Sequence, residues 1–214
     1  MDTPYASHGA VSIRLIRSRD ARPLQQSLID NRSWLVPWEA TNPDGAVPME
    51  MRGAIRRLLQ QYRDGSGVPF VMEYNGEIAG QLNVWGISRG SMSSGTIGYW
   101  IDERFAGKGI TPTSVALATD LCFRSLRLHR MEICIRPENA PSLRVVEKLG
   151  FRYEGYRVRY IHIDGEWRDH HAFALTREDV PQGVLQRWIR GQVPEGMGSV
   201  PGSIPVGPTG TEPA

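Results

Sequence analysis

Between Tyr99 and Thr111 the chain reads Tyr-Trp-Ile-Asp-Glu-Arg-Phe-Ala-Gly-Lys-Gly-Ile-Thr, a strand end, a turn with two glycines and the opening of a helix. Those residue types in that order suit an anion. Glycine accepts the positive φ angles of a tight turn and lets the main chain come close to a ligand, and the first N–H groups of a helix have no partner within it. The helix dipole adds roughly 0.3–1 kcal/mol of attraction per exposed charge. Two common nucleotide motifs fail here. A Walker loop needs Gly where Asp102 stands and Ser or Thr where Gly109 stands, and a Gly-x-Gly-x-x-Gly turn meets Pro112 in place of its third glycine. What is left, Arg104-x-x-Gly107-x-Gly109, is a candidate diphosphate cradle built from main-chain donors.

A second run, Arg136 to Phe151, places Asn139 before a helix, Ser142 in its first turn and Leu149-Gly150-Phe151 at its end. Asn is a good helix cap, and Gly150 stands where a left-handed C-cap is wanted. Two further blocks complete the set: Glu154-Gly155-Tyr156 followed by Ile163 to His170, and Asn31-Arg32 to Pro37-Trp38-Glu39 near the front, with His129-Arg130 between them.

The turn resembles the coenzyme A loop of the GNAT acetyltransferases, and the Asn139 block resembles that family's passage from strand to Asn to helix to Leu-Gly-Phe. The closing and front blocks resemble, within GNAT, the Rim-type ribosomal-protein-alanine N-acetyltransferases, and together the blocks span Ile13 to Val180. The resemblance implies acetyl-CoA as co-substrate and no metal. It places the coenzyme against Ile101, Arg104, Phe105, Ala106, Gly107, Lys108, Gly109, Ile110 and Thr111, with Asn139 on the pantetheine and Ser142 close to the thioester sulfur. It implies acetyl transfer to a primary amine, foremost the N-terminal α-amine of a protein such as a ribosomal protein, by direct attack in a ternary complex. Two alternatives stand beside it: a small-molecule amine such as an antibiotic or polyamine as acceptor, and a non-catalytic acetyl-CoA-binding module.

An α-amine of pKa near 8 is roughly one-tenth neutral at pH 7, so the demand for a base is modest. Glu39, in a Pro-Trp-Glu context, is the leading candidate to position or deprotonate that amine, with Trp38 and Tyr99 as further acceptor-binding residues; the bland alternative for Glu39 is a surface carboxylate. Many GNAT enzymes place a tyrosine on the helix after the Asn to protonate the thiolate. Residues 140–149 contain none, which leaves Ser142 as the nearest hydroxyl, and Ile161 stands where related Rim-type enzymes carry a Glu.

These residues need elements to hold them. Val11 to Ile16 alternates like a half-buried strand, a helix starts near Asp20 and ends by Trp34, and Leu35 to Val47 reads as a loop. Met51, Ile55, Leu58, Leu59 and Tyr62 recur at helical spacing until Gly65 and Gly67. Asn75-Gly76 and Asp164-Gly165 are hairpin turns, joining Phe70–Tyr74 to Ile78–Trp85 and Arg152–Ile163 to Trp167–Leu175. Thr96–Ile101 and Met131–Ile135 read as strands, and Thr113–Leu126, Ser142–Leu149 and Arg177–Arg190 as helices. The order implies an α+β, mixed α/β three-layer arrangement. In the GNAT fold this is a central, mostly antiparallel, splayed sheet flanked by helices, with the thioester in the gap between the strands ending near Ile101 and Ile135. One domain is expected over residues 11–190, between a flexible segment 1–10 and a Pro/Gly-rich, disordered tail 191–214.

The balance of 25 basic against 23 acidic residues in 214 implies no strong field for nucleic acid or membrane. Cys122 and Cys134 lack zinc-finger or redox spacing and read as reduced thiols, and no segment reads as a leader or membrane span, so a cytoplasmic monomer or homodimer is expected. His170-His171 points to opposite faces of a strand and reads as structural. The six tryptophans are spread over separate elements, and Arg56-Arg57, Arg157 and Arg159 are too scattered for a phosphate track.

Overall fold

The computed structural model describes residues 3–45 and 50–201. Eight strands form one sheet: β1 (Tyr5–His8), β2 (Val11–Leu15), β3 (Val68–Tyr74), β4 (Glu77–Ser88), β5 (Ser94–Ile101), β6 (Arg130–Ile135), β7 (Arg152–Ile163) and β8 (Glu166–Thr176). Their spatial order is β1-β2-β3-β4-β5-β6-β8-β7. Every neighbouring pair is antiparallel except β5 and β6. Six helices cover the sheet: α1 (Ala21–Asp30), α2 (Arg32–Leu35), α3 (Met51–Arg63), α4 (Ile110–Arg124), α5 (Ala140–Leu149) and α6 (Val184–Arg190).

The strand pattern dictates two cores, because successive side chains leave opposite faces of a strand. From β3, Phe70 and Met72 enter the larger core with Ile13, Leu82, Val115, Leu149, Phe151 and Phe173, while Val71 enters the smaller one with Ile16, Leu24, Met51 and Ile55. The layers are therefore α1 and α3, the sheet, then α4 with α5 and α6. Each fully buried Phe in the larger core is worth about 1.5–3 kcal/mol relative to exposure. α4 is buried throughout its first eleven residues, which carry small and apolar side chains against the sheet.

The differences from expectation have local causes. The flexible segment gives way at Tyr5–His8, which pairs with β2 in register Tyr5↔Arg14 to His8↔Val11. The first helix breaks at Asn31 into α1 and α2, because the Asn31 side chain turns back to the Ser27 carbonyl. α4 and α5 each begin two or three residues early, since Pro112 and Pro141 are tolerated in a first turn. The last helix is halved: a 3-10 turn at Arg177–Asp179 is cut off by Pro181 and by Gly183 at φ 103°, and α6 starts only at Val184. Buried Asp120 caps that start, accepting from the Val184 and Leu185 amides at 2.7 and 3.2 Å. Of the expected tail, residues 191–201 are described and bring Met197 and Val200 against the larger core. The remainder of the tail, and residues 46 and 47 of the expected loop, lie outside the described residues.

Candidate active site

β5 and β6 run parallel but pair only at Ser94↔Arg130, Gly95↔Met131 and Thr96↔Glu132. Beyond Thr96 the strands diverge, and β6 continues its pairing with β8 alone as far as Ile135↔His171. The divergence opens a cavity of about 460 Å³ walled by Gly98 and Tyr99 of β5, Ile133 to Arg136 of β6, Asn139 and Ser142 at the start of α5, Ile161 and Ile163 of β7, and His170 of β8.

At the far end of β5, Asp102 caps a 3-10 turn at Glu103–Phe105, after which Gly107 and Gly109 take φ of 76° and 75° and α4 begins. The Phe105 and Ala106 amides are used by that turn, and the Thr113 amide bonds the Gly109 carbonyl. The amides of Gly107, Lys108, Gly109, Ile110 and Thr111 have no acceptor among the described residues. A Cβ at Gly107 would meet nothing within 4 Å, so glycine is required there for φ and not for room. These donors face a cleft of about 300 Å³ bounded by Ile101, Phe105, Ala106, Gly107, Gly109, Ile110, Thr111 and, from α5, Arg144 and Lys148. An anionic, elongated ligand with its phosphates on the turn and its arm along β5 fits this shape.

The expected coenzyme residues divide in two. The glycines and apolar members of the turn line the cleft, but the Arg104 guanidinium turns away to Asp102 at 3.0 Å and Glu77 at 3.4 Å. Lys108 likewise lies over the rings of Phe105 and Tyr74. The cations beside the cleft are Arg144 and Lys148, four residues apart on one face of α5, a spacing visible in the sequence and passed over. The Asp102 carboxyl, which burial would raise, is held below its ordinary range by the Arg104 side chain and amide and by the Ser27 hydroxyl. Asn31 adds a second brace, its Oδ1 accepting from the Glu103 amide at 2.8 Å.

Asn139 caps α5, accepting from the Ser142 amide at 3.1 Å, and both residues border the splayed cavity. The Tyr99 hydroxyl is buried without a partner in hydrogen-bond reach among the described residues. Burial pushes its pKa up to about 12, opposed in part by the nearby Ser142 side chain. Tyr99 also borders a second cavity of about 520 Å³, between the sheet and α1–α3, where Glu39, Arg57, Leu58 and Trp100 stand. Trp38, Ala40, Gly98 and Tyr99 are common to both cavities, whereas Glu39 and Ser142 border different ones. Glu39 is ion-paired with Arg32.

The loop carrying Trp38 is strapped over the gap. Arg136 donates to the Pro37 carbonyl at 2.5 Å and stacks on the Trp38 ring at 5.3 Å. Ala40 bridges to Ile163, and Thr41 bonds the His162 carbonyl at 2.9 Å. Trp34 donates from its indole to the Ile101 carbonyl at 3.1 Å, fixing the end of β5. Among the described residues no cluster of His, Cys, Asp and Glu is placed to hold a metal, and no helix is long and apolar enough to cross a membrane.

A family model, the acetyltransferase (GNAT) domain, matches residues 11–152. The [ribosomal protein uS5]-alanine N-acetyltransferase of Escherichia coli is 32% identical over 174 residues, covering 80% of this chain and 90% of that protein. The structure of Mycobacterium smegmatis RimJ in complex with CoA-disulfide superimposes with a TM-score of 0.78 at 35% identity, over 84% of this chain and 88% of that one. A ribosomal-protein-S5-alanine acetyltransferase from Vibrio fischeri gives 0.74 at 28% identity, over 82% and 98%. Free amides on a glycine turn, a sheet splayed after three residue pairs and these likenesses agree: the chain belongs to the GNAT superfamily of acetyl-CoA-dependent N-acetyltransferases, in its Rim-type branch.

Proposed function

We propose that the protein acetylates the N-terminal α-amine of a protein chain, a ribosomal protein foremost, by direct attack on bound acetyl-CoA. The observation that carries the reading is the junction of the two cavities at Trp38, Gly98 and Tyr99, where a chain end entering beside Glu39 would meet the splayed gap. Acetyl-CoA supplies the acetyl group as a thioester. Gly107 to Thr111 hold its diphosphate through their amides, with Arg144 and Lys148 as counter-charges, and Ile101 and Asn139 guide the pantetheine arm. Glu39, kept close by Arg32, draws in the ammonium group, and the Trp38 and Tyr99 rings exclude water around it. Ser142, at the mouth of α5, hands a proton to the departing sulfur.

The test is incubation with acetyl-CoA and Ala- or Ser-starting peptides, the same peptides blocked at the α-amine, polyamines and aminoglycosides. One acetyl group mapped to the free α-amine is expected. Equal transfer to blocked peptides, or transfer to the small amines alone, defeats the proposal.

A further inference from the structure

The splayed cavity contains no carboxylate, and of its titratable groups Tyr99 and Cys134 are both held protonated by burial. His170 is the exception. It lies on β8 directly before His171, whose pairing with Ile135 is the last between β8 and β6, so it stands where the β6 wall ends. Strand alternation sends His171 into the aromatic cluster of Tyr153, Tyr156 and Phe173, and sends His170, on the side of Ala172 and Cys134, to the cavity.

The side chain is held as a base is. His170 is 3% exposed, and its Nδ1 lies 3.0 Å from the Arg168 carbonyl, an acceptor that fixes the proton on Nδ1. The lone pair is then on Nε2, since the hydrogen bond His170 makes among the described residues is through Nδ1. Edge-on packing of the Tyr160 ring at 5.7 Å limits ring rotation.

Resting on the acetyltransferase reading, we propose that His170 is the group that takes the proton from the acceptor ammonium in the gap, while Glu39 serves only to attract it. Nε2 removes one proton from the ammonium. The amine lone pair then closes the C–N bond as the C–S bond breaks, the electron pair leaves on sulfur, and the second nitrogen proton reaches that sulfur through Ser142. His170 later releases its proton to solvent. Burial lowers the His170 pKa, opposed in part by the bond to the Arg168 carbonyl; Arg136, next after β6, also lowers it, while Glu138 and Asp169 raise it. Tyr99, Cys134, Tyr160 and Arg157 are the other titratable groups around the imidazole, and the first two are neutral. The imidazole is thus neutral and able to accept a proton at pH 7.

His170→Asn keeps a donor at the Nδ1 position and removes the Nε2 lone pair, and His170→Gln is the second variant should Asn pack poorly. Titration with acetyl-CoA is expected to give an affinity within twofold of wild type for at least one of them. With a free-amine peptide, kcat/KM should fall ten- to a hundredfold at pH 7, within reach of a lost general base. The deficit should shrink severalfold by pH 9, where the amine arrives neutral. A deficit that is the same at every pH, or none, overturns the role for His170 while wild-type activity keeps the acetyltransferase reading. A wild-type protein that binds acetyl-CoA but acetylates no amine overturns both.

Discussion

In the proposed reaction, much of the chemistry is assigned to single hydroxyls, and Ser142 is the first of them to test. The Ser142 amide is committed to Asn139, and its side chain lies beside the Tyr99 hydroxyl at the edge of the gap. Ser142→Ala is expected to slow turnover about two- to tenfold, with acetyl-CoA affinity unchanged, because a thiol of pKa roughly 8.5 leaves without much assistance. Single-turnover rates identical to wild type would reduce Ser142 to a member of the first helical turn. At this scale the sequence exposes residue types in known blocks, hence Asn139, Ser142, Trp38 and Tyr99. It hides direction: Arg104 and Lys108 read as ligands of an anion, yet one is spent on Asp102 and Glu77 and the other lies on aromatic rings. The alternation that makes His170-His171 read as structural in the sequence is also what brings His170 to the cavity.

Among the elements, the turn between β5 and α4 is held from outside itself. Asp102 receives Ser27 of α1 at 3.1 Å, and Asn31, between α1 and α2, receives the Glu103 amide. The front helices therefore brace the glycine turn as well as bordering the cavity that holds Glu39. A carboxyl whose folded pKa is depressed stabilises the fold fully above its unfolded pKa, near 3.9, and that contribution is lost as pH falls through the lower folded value. Asp102→Asn should therefore cost about 1.5–3 kcal/mol at pH 7, the range for hydrogen bonds to a charged group, and the difference from wild type should narrow below about pH 4. Denaturant unfolding at both pH values checks this; a constant difference would show the charge to be unimportant. Strands and hairpins were legible here because Asn75-Gly76 and Asp164-Gly165 specify turns locally. The break at Asn31 and the shortened α6 were not, since one depends on a side chain folding back and the other on Asp120, more than sixty residues away.

For the molecule as a whole, the three layers follow from alternation and periodicity, but the order of Tyr5–His8 and of residues 191–201 does not. Composition alone says little about Tyr5–His8, which gains its order from an open sheet edge, or about residues 191–201, where Met197 and Val200 find the larger core. A Cβ at Gly198 would lie 2.3 Å from the Glu147 Cα, so this segment sits close against α5. Ending the chain after Gly191 should lower Tm by roughly 2–8 °C, the effect of losing about 1–2 kcal/mol in a domain of this size. A melting curve unchanged by the truncation would make the packing inconsequential.

The unoccupied amides from Gly107 to Thr111 carry a consequence for selectivity. Main-chain donors register the handle of a thioester and are blind to its cargo, so longer acyl chains should dock on the turn as readily as acetyl. Under the proposed binding mode, any preference for two carbons is then to be sought at the other end of the arm, where Ile133, Ile135 and Ile161 line the splayed cavity. Anchoring and discrimination are separate properties of this molecule, and substitution among those three isoleucines is the route to changing the second without disturbing the first.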